Sequence, residues 1–396
     1  MQLAFFSENT RSTVSKTNST ANKLGFHDKQ FHDWYRFVLS FPPHLVRQYI
    51  DRFCLHSGQI ILDPFCGTGT TLVESRIQGI DSIGVEANPM AHFASAVKMD
   101  WRIAKDELIN HASQIADHAA KIIQKEQLGI LRTLSTEAYS LLLKDSISPI
   151  PLHKSLILLE AIRYRKDERY HNHELLAFAK ALVFSISNLH FGPEVGVCRL
   201  KKHDAPVIDL WMKEIISMAN DLRLIPVHQT VAEIHHADAR QLSSVLKPDS
   251  IDAVFTSPPY PNEKDYTRTT RLESVLLGFI NNKNELRNLK QGLLRSNTRN
   301  VYKGDSDDSW VVHHQEIQSI ADAIEKRRIE LDKTSGFEKL YSRVTRLYFG
   351  GMARHLAELR PFLKPGAYLG YVVGDQASYL QVVIKTGELL ADIAQS

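Results

Sequence analysis

The segment Gln59–Glu86 restricts the fold of this chain more than any other. QIIL (59–62) is a short apolar run that ends at Asp63, and PFCGTGTT (64–71) follows it with a glycine-rich turn. LVESRIQG (72–79) then has helical character, and SIGVE (82–86) is a second short apolar run closed by an acid. Strand, glycine turn, helix and strand form a βαβ unit, which implies a parallel, doubly wound sheet with helices on both faces.

The rest of the chain is read around that unit. From about Met99 to Pro226 the pattern is mostly helical: Leu175, Ala179, Leu182, Ile186 and Leu189 step by three and four, as do Trp211, Ile215, Met218 and Leu222. More than a hundred residues is too long for a crossover, so this is an inserted helical unit. Strand character returns at Thr230–His236, followed by Asp238, and at Ile251–Thr256. Phe337–Leu363 reads as a long amphipathic helix stopped by Lys364–Gly366, Ala367–Val373 as a buried strand, and Gly387–Ala394 as a last helix. The expected class is α/β, a Rossmann-like, doubly wound, mostly parallel sheet with a large helical insertion. Residues 1–25, rich in Ser, Thr and Asn, are expected to form a flexible arm. Residues 26–99 and 226–396 form the α/β domain, and 100–225 the insertion.

Three scattered cysteines, Cys54, Cys66 and Cys198, are too few for a disulfide framework and point to a reducing compartment, the cytoplasm. Neither a secretory signal nor a membrane-length apolar run is evident. The His-His pairs at 235 and 313 lack companion ligands at metal spacing, so no metal site is expected, and His-Asn-His at 171–173 matches a nuclease motif in letters only, because that motif's residues are spread over a hairpin and a helix.

Glycines directly after a strand let the backbone approach a ligand, and the following helix N-terminus offers free N–H groups. Glu86, at the end of the second strand, is placed to accept hydrogen bonds from ribose hydroxyls. A dinucleotide and S-adenosylmethionine both suit this arrangement. Residue 72 is Leu, so the third glycine of the dinucleotide fingerprint is missing, and no Gly-Lys-Ser/Thr follows, which removes a phosphate loop.

A second feature is FTSPPYPNEKDYTR (255–268), in which an apolar run leads into a hydroxyl, two prolines and an aromatic ring. Adjacent prolines stiffen the turn and remove two backbone donors. What remains is an acceptor cluster, the Ser257 hydroxyl and the Pro258 carbonyl, beside a stacking plate, the Tyr260 ring.

DPFCGTGTT, VEANP and TSPPY together resemble the amino-methyltransferase family, which methylates exocyclic amines of DNA bases with S-adenosylmethionine, and the likeness runs from about residue 30 to the C-terminus. The resemblance implies a class I methyltransferase fold and a cofactor site built from Phe41, Asp63, Phe65, Gly67, Thr68, Gly69, Thr70, Glu86, Asn88 and Asp238. Phe41 opens the segment FPPHLVRQYIDRF (41–53), similar to the motif that closes over the donor's methionine end. The catalytic turn would comprise Ser257, Pro258, Pro259 and Tyr260. The exocyclic amine of cytosine is a poor nucleophile, and acceptors for both its N–H groups would turn its lone pair toward the methyl group, with Tyr260 stacked on a base swung out of double-stranded DNA. Ser at the first position leans toward cytosine N4 within the family. The expectation is therefore a site-specific cytosine-N4 DNA methyltransferase of restriction-modification type, with a cognate restriction endonuclease as companion. The alternatives are adenine N6 in DNA, guanine N2 in tRNA, or a catalytically silent subunit that binds DNA and donor.

Between Lys264 and Lys303 nine basic residues stand against three acidic ones, a net of +6 in a chain whose total is +3. Lys264, Arg268, Arg271, Arg295 and Arg299 are the candidate DNA contacts in this stretch. The helical insertion, 100–225, is the candidate target-recognition unit, and Asn188–Glu194 is a tract that could return to the target pocket. The family's sheet ends in an antiparallel hairpin that is apparently missing here, which would leave an edge for a partner chain to complete.

Overall fold

The computed structural model describes residues 2–6, 24–25, 28–37, 40–126, 129–192, 194–224, 230–261, 264–374 and 377–395. After β1 (Gln2–Phe6) and α1 (Pro43–Arg52), the βαβ unit consists of β2 (Ile60–Asp63), α2 (Thr70–Ile77) and β3 (Asp81–Glu86), and α3 (Pro89–Lys98) follows it. The inserted region comprises α4 (Lys105–Glu126), α5 (Thr136–Leu141), α6 (Pro149–Tyr164) and α7 (His171–Ala181), then a π-helical turn at Leu182–Ile186. It ends with the hairpin strands β4 (Leu189–Phe191) and β5 (Val195–Val197) and with α8 (Val207–Asp221). The chain then forms β6 (Ala232–His236), β7 (Ile251–Thr256), α9 (Tyr266–Thr269), α10 (Arg271–Leu276), α11 (Lys283–Gly292), α12 (Gln315–Glu330) and α13 (Tyr341–Leu359). Last come β8 (Leu363–Val372), β9 (Ala377–Tyr379), β10 (Val382–Ile384) and α14 (Thr386–Gln395).

Six strands make one sheet in the order β1-β8-β7-β2-β3-β6, and every neighbouring pair is parallel. From β2 the chain runs outward to β3 and β6, then returns to the other side of β2 as β7. The strand order thus reverses between β2 and β7. In open α/β sheets that reversal leaves a crevice outside the carboxyl ends of the two strands, where ligands bind.

Alternation of side chains builds the two layers. Ile61, Ala253 and Phe255 face α1, packing with Val46, Ile50 and Phe53. Their neighbours Leu62, Val254 and Leu369 face the other way, onto Val344, Tyr348 and Met352 of α13. The helical insertion shares one core with α2 and α3: Leu72, Met90 and Ala94 are continuous with Ile115, Leu158, Leu176 and Trp211.

Four details depart from the sequence expectation. The periodicity through Leu189 is helical only to Ile186, because the π-turn shifts the register and Leu189 opens β4. Lys364–Gly366 does not stop a helix that reaches Leu363: α13 ends at Leu359, and the Lys-Pro-Gly tripeptide lies inside β8, with Gly366 at φ +84°. An unexpected antiparallel hairpin, β9–β10, precedes the last helix but is detached from the main sheet, which among the described residues has no antiparallel strand, as expected. Its two-residue turn is Leu380–Gln381 at φ +52° and +69°, so the Gly or Asn that normally marks such a turn is absent from the sequence. Finally, Gln2–Phe6, within the stretch expected to be a flexible arm, pairs with Tyr368–Val372 and covers the sheet edge beside β8. Residues 7–23 of that stretch lie outside the described residues.

Candidate functional site

The glycine turn and the proline turn meet at the sheet's point of reversal. Asp63 ends β2 and Thr256 ends β7, on strands that pair Leu62 with Val254. The Thr256 hydroxyl donates to Asp63 Oδ1 at 2.6 Å, the Thr71 hydroxyl donates to Oδ2 at 2.6 Å, and the Phe65 N–H donates to Oδ1 at 3.2 Å. Asp63 is fully buried, and burial raises its carboxyl to about 6 against the opposing effect of these hydrogen bonds. It acts as a clamp between the two turns, whereas the resemblance implied direct cofactor contact.

Gly67 and Gly69 adopt φ +53° and +83°, a region costly for side chains. A Cβ on Gly67 would meet nothing within 4 Å, so open space lies beside the backbone there. Helix α2 starts at Thr70 without a side-chain cap, which leaves its first N–H groups to a ligand. The Thr68 Oγ1 is buried and has no partner among the described residues, while the Thr68 carbonyl accepts from Lys98 Nζ at 3.0 Å. Lys98 is itself buried, and desolvation holds its ammonium well below the usual lysine value.

Glu86 borders this loop. Its carboxylate accepts the Gly67 N–H at 2.8 Å and the Asn88 N–H at 2.7 Å, and burial lifts it to about 7. Each oxygen keeps a second lone pair, the chemistry a vicinal diol requires. Space at Gly67, an unpartnered hydroxyl, an uncapped helix and an acid fit a ligand carrying both a ribose and an anionic end. The aromatic flanks are Phe65, edge-on to the His355 ring at 5.0 Å, and Phe41, edge-on to Phe255 at 5.7 Å.

Two expected cofactor residues are committed elsewhere. Asn88 Oδ1 caps α3 by accepting from the Met90 and Ala91 N–H groups, its Nδ2 reaches Thr270 Oγ1 at 3.3 Å, and the side chain is buried. Asp238 is gripped by Arg240 through Nε at 3.0 Å and Nη2 at 2.6 Å, and Arg240 also reaches Asp307 at 2.5 Å.

At the proline turn, the Ser257 hydroxyl donates to the Val372 carbonyl at 3.0 Å and lies 3.0 Å from the Tyr260 hydroxyl. Because the single Ser257 proton is directed at Val372, its lone pairs are left to accept, here from Tyr260. Pro258 is buried and Pro259 half-buried behind it. Tyr266 of α9 bonds the Tyr260 backbone, and burial pushes its phenol up.

The expected DNA-facing residues divide. Arg299 is exposed and lies over the Phe337 ring at 5.7 Å, while Lys264 is half-buried. Arg268 is partly exposed, 3.9 Å from Glu194. Arg295 does not belong to that surface: it is 5 % exposed and forms a fork with Asp305 at 2.8 and 2.9 Å. Arg271 likewise turns inward, to the Thr267 hydroxyl at 2.9 Å and the Leu141 carbonyl at 3.3 Å.

Thr71, Thr256 and Tyr266 were not singled out from the sequence. A threonine in the first turn of the helix after the glycine loop was the available signal for Thr71, a threonine closing the strand before the proline turn for Thr256, and a tyrosine six residues after the Pro-Pro-Tyr turn for Tyr266.

Among the described residues no helix is long and apolar enough to cross a membrane. A family model described as DNA methylase, of the N6 and N4 type, matches residues 8–96. The chain is 28% identical over 301 residues to the Type II methyltransferase M.BsoBI of Geobacillus stearothermophilus, covering 70% of this chain and 58% of that relative's length. It is 26% identical over 392 residues to the Type II methyltransferase M.AvaI of Nostoc sp., covering 91% of this chain and 77% of the relative. A shorter likeness, 37% identical over 68 residues, links 17% of the chain to 16% of a tRNA (guanine(10)-N2)-dimethyltransferase of Methanocaldococcus jannaschii. No solved structure matches the chain significantly. With a doubly wound sheet and both turns at its point of reversal, these likenesses support the resemblance to the DNA amino-methyltransferase family.

Proposed function

We propose that the chain methylates the exocyclic N4 amine of cytosine in double-stranded DNA at a specific short site, with S-adenosylmethionine as donor, as the modification half of a restriction-modification pair. The carrying observation is the Thr256–Asp63 hydrogen bond, which holds the acceptor turn against the glycine loop at the sheet's point of reversal. The Type II methyltransferase relatives support the DNA substrate, and Ser257 at the head of the Pro-Pro-Tyr turn favours cytosine within the family. This reading implies a restriction endonuclease of the same specificity as companion and residues 100–225 as the unit that reads the site.

In this role Gly67, Thr68, Gly69 and the start of α2 hold the donor's methionine end, and Glu86 accepts from its ribose. S-adenosylmethionine, when bound, supplies the electrophilic methyl group. Ser257 Oγ and the Pro258 carbonyl accept the two amine N–H groups, which takes the nitrogen lone pair out of conjugation and aims it across the cleft. The Tyr260 hydroxyl gives up its hydrogen bond to Ser257, and its ring stacks on the base. No strong base is required at the turn, because the proton leaves an amine that has become cationic. Positioning of this kind is worth roughly 7–11 kcal/mol in the best intramolecular cases.

The test is to incubate the protein with labelled S-adenosylmethionine and either duplex DNA or tRNA, then identify the modified nucleoside. N4-methylcytosine is the expected product. Label on adenine would overturn the base assignment alone, and label on tRNA guanine would favour the reading suggested by the shorter likeness.

A further inference from the structure

The inserted region carries an aromatic and basic surface beside α9, the helix that follows the proline turn in the chain. Phe184, on the π-helical turn Leu182–Ile186, leaves 44 % of its surface exposed. π-Helical turns are rare and frequent at functional sites. Its ring lies 5.3 Å from that of Phe191 on β4 and 6.3 Å from that of Tyr35. Together with Arg36, Phe37 and Thr269 these rings line a shallow cleft, and Thr269 belongs to α9, which opens six residues after Tyr260.

Basic charge surrounds this aromatic edge. The run Arg199–His203 follows the β4–β5 hairpin and is exposed throughout. Lys202 ties the run to the π-turn by donating to the carbonyls of Ser185 at 2.5 Å and Ser187 at 2.8 Å. Arg268 of α9 approaches Glu194 of the hairpin at 3.9 Å. The nearby acids are largely engaged: Asp204 holds Lys154 at 2.7 Å, and Asp33 holds Lys180 at 3.1 Å. An exposed aromatic ring flanked by cations matches a nucleic-acid strand with unstacked bases, where rings stack and cations meet phosphates.

We propose that Phe184 and the Arg199–Lys202 run form a duplex-DNA contact next to the target base, with Phe184 filling space in the disturbed stack and Arg199 and Lys201 on phosphates. The proposal rests on the DNA reading above and names a surface that this reading does not require. It assigns the hairpin a role in holding DNA, whereas the larger basic cluster loses Arg271 and Arg295 to internal bonds.

Binding of the full chain to a mixed-sequence 40-bp duplex is measured against KCl concentration. The Arg199→Ala/Lys201→Ala variant is expected to lower the slope of log K against log salt by about 2, since each phosphate contact contributes about 0.9. Phe184→Ala is expected to weaken duplex binding about 10-fold, in line with the loss of one stacking contact. Lys121→Ala/Lys125→Ala on α4 serves as control and is expected to keep the wild-type slope, and donor affinity should be unchanged in all variants, which verifies their folding. Wild-type binding with an unaltered slope in the Arg199/Lys201 variant overturns this inference while leaving the DNA reading intact. A wild-type chain that binds tRNA but no duplex overturns both.

Discussion

The Thr256 hydroxyl and the Asp63 carboxylate, 193 residues apart in the chain, are 2.6 Å apart in the fold. Asp63 holds Thr71 at the same distance, so one buried acid fixes the ends of β2 and β7 and the start of α2 in register. Neither turn can shift without breaking a charge-assisted hydrogen bond inside the protein.

Thr256→Val keeps the side-chain shape and removes the donor. It should cost about 1–3 kcal/mol, read from the midpoint of chemical denaturation, because it leaves a buried carboxylate oxygen with one fewer donor. Thr256→Ser should recover most of the loss. A Val variant as stable as the wild type beside a destabilised Ser variant would show that the methyl group and not the hydroxyl matters here.

At the proline turn, Ser257→Ala and Tyr260→Ala should each remove methyl transfer while S-adenosylmethionine still binds. Tyr260→Phe should retain most activity, since the ring and not its hydroxyl stacks on the base. Wild-type rates in both alanine variants, measured by label incorporation, would show that the acceptor lies elsewhere.

Glu86 sets a pH dependence for donor binding. Its free carboxyl lies at about 7, whereas a ribose diol donates to the carboxylate and favours the ionised form. Binding therefore releases a proton below that value, so calorimetric affinity should rise from pH 6 to 8 and level off above. Glu86→Gln should bind more weakly with a flat profile, and an equally sloped profile in that variant would assign the effect to another group.

Glu273 is wholly buried and takes the Tyr35 hydroxyl, and burial raises its carboxyl from 4.5 to about 7. A folded-state value above the unfolded one means that the native protein holds the proton more tightly. Stability from this group is thus full below about pH 4.5 and is lost as pH rises toward and past 7, by ~3 kcal/mol. Glu273→Gln should be more stable than the wild type at pH 8 and nearly equal to it at pH 5. A thermal midpoint lowered equally at both values would contradict this.

Glycine at 350, inside α13, tests packing. An exposed helical Gly→Ala change gains up to about 1 kcal/mol, yet here a Cβ would lie 1.9 Å from the Asp307 carbonyl oxygen. Gly350→Ala should therefore destabilise by several kcal/mol, as overpacking against fixed backbone does. A neutral denaturation midpoint would show that the Asp307 segment can move aside.

The sequence by itself determined the βαβ unit, the glycine loop and the stiffness of the proline turn. These depend on neighbours only a few residues apart: period-two apolar runs, φ angles open to glycine, and missing proline donors. Only the tertiary structure decided which polar groups face one another. Arg295 and Arg299 are alike in composition, but one is spent on Asp305 and the other is exposed. Asp238 looked available until Arg240 closed on it, and the hairpin turn at Leu380–Gln381 has left-handed angles without the residues that announce them. A side chain's charge and donors are written in the sequence. Whether they remain free for a ligand depends on partners that the strand order brings close, as it brings Thr256 to Asp63.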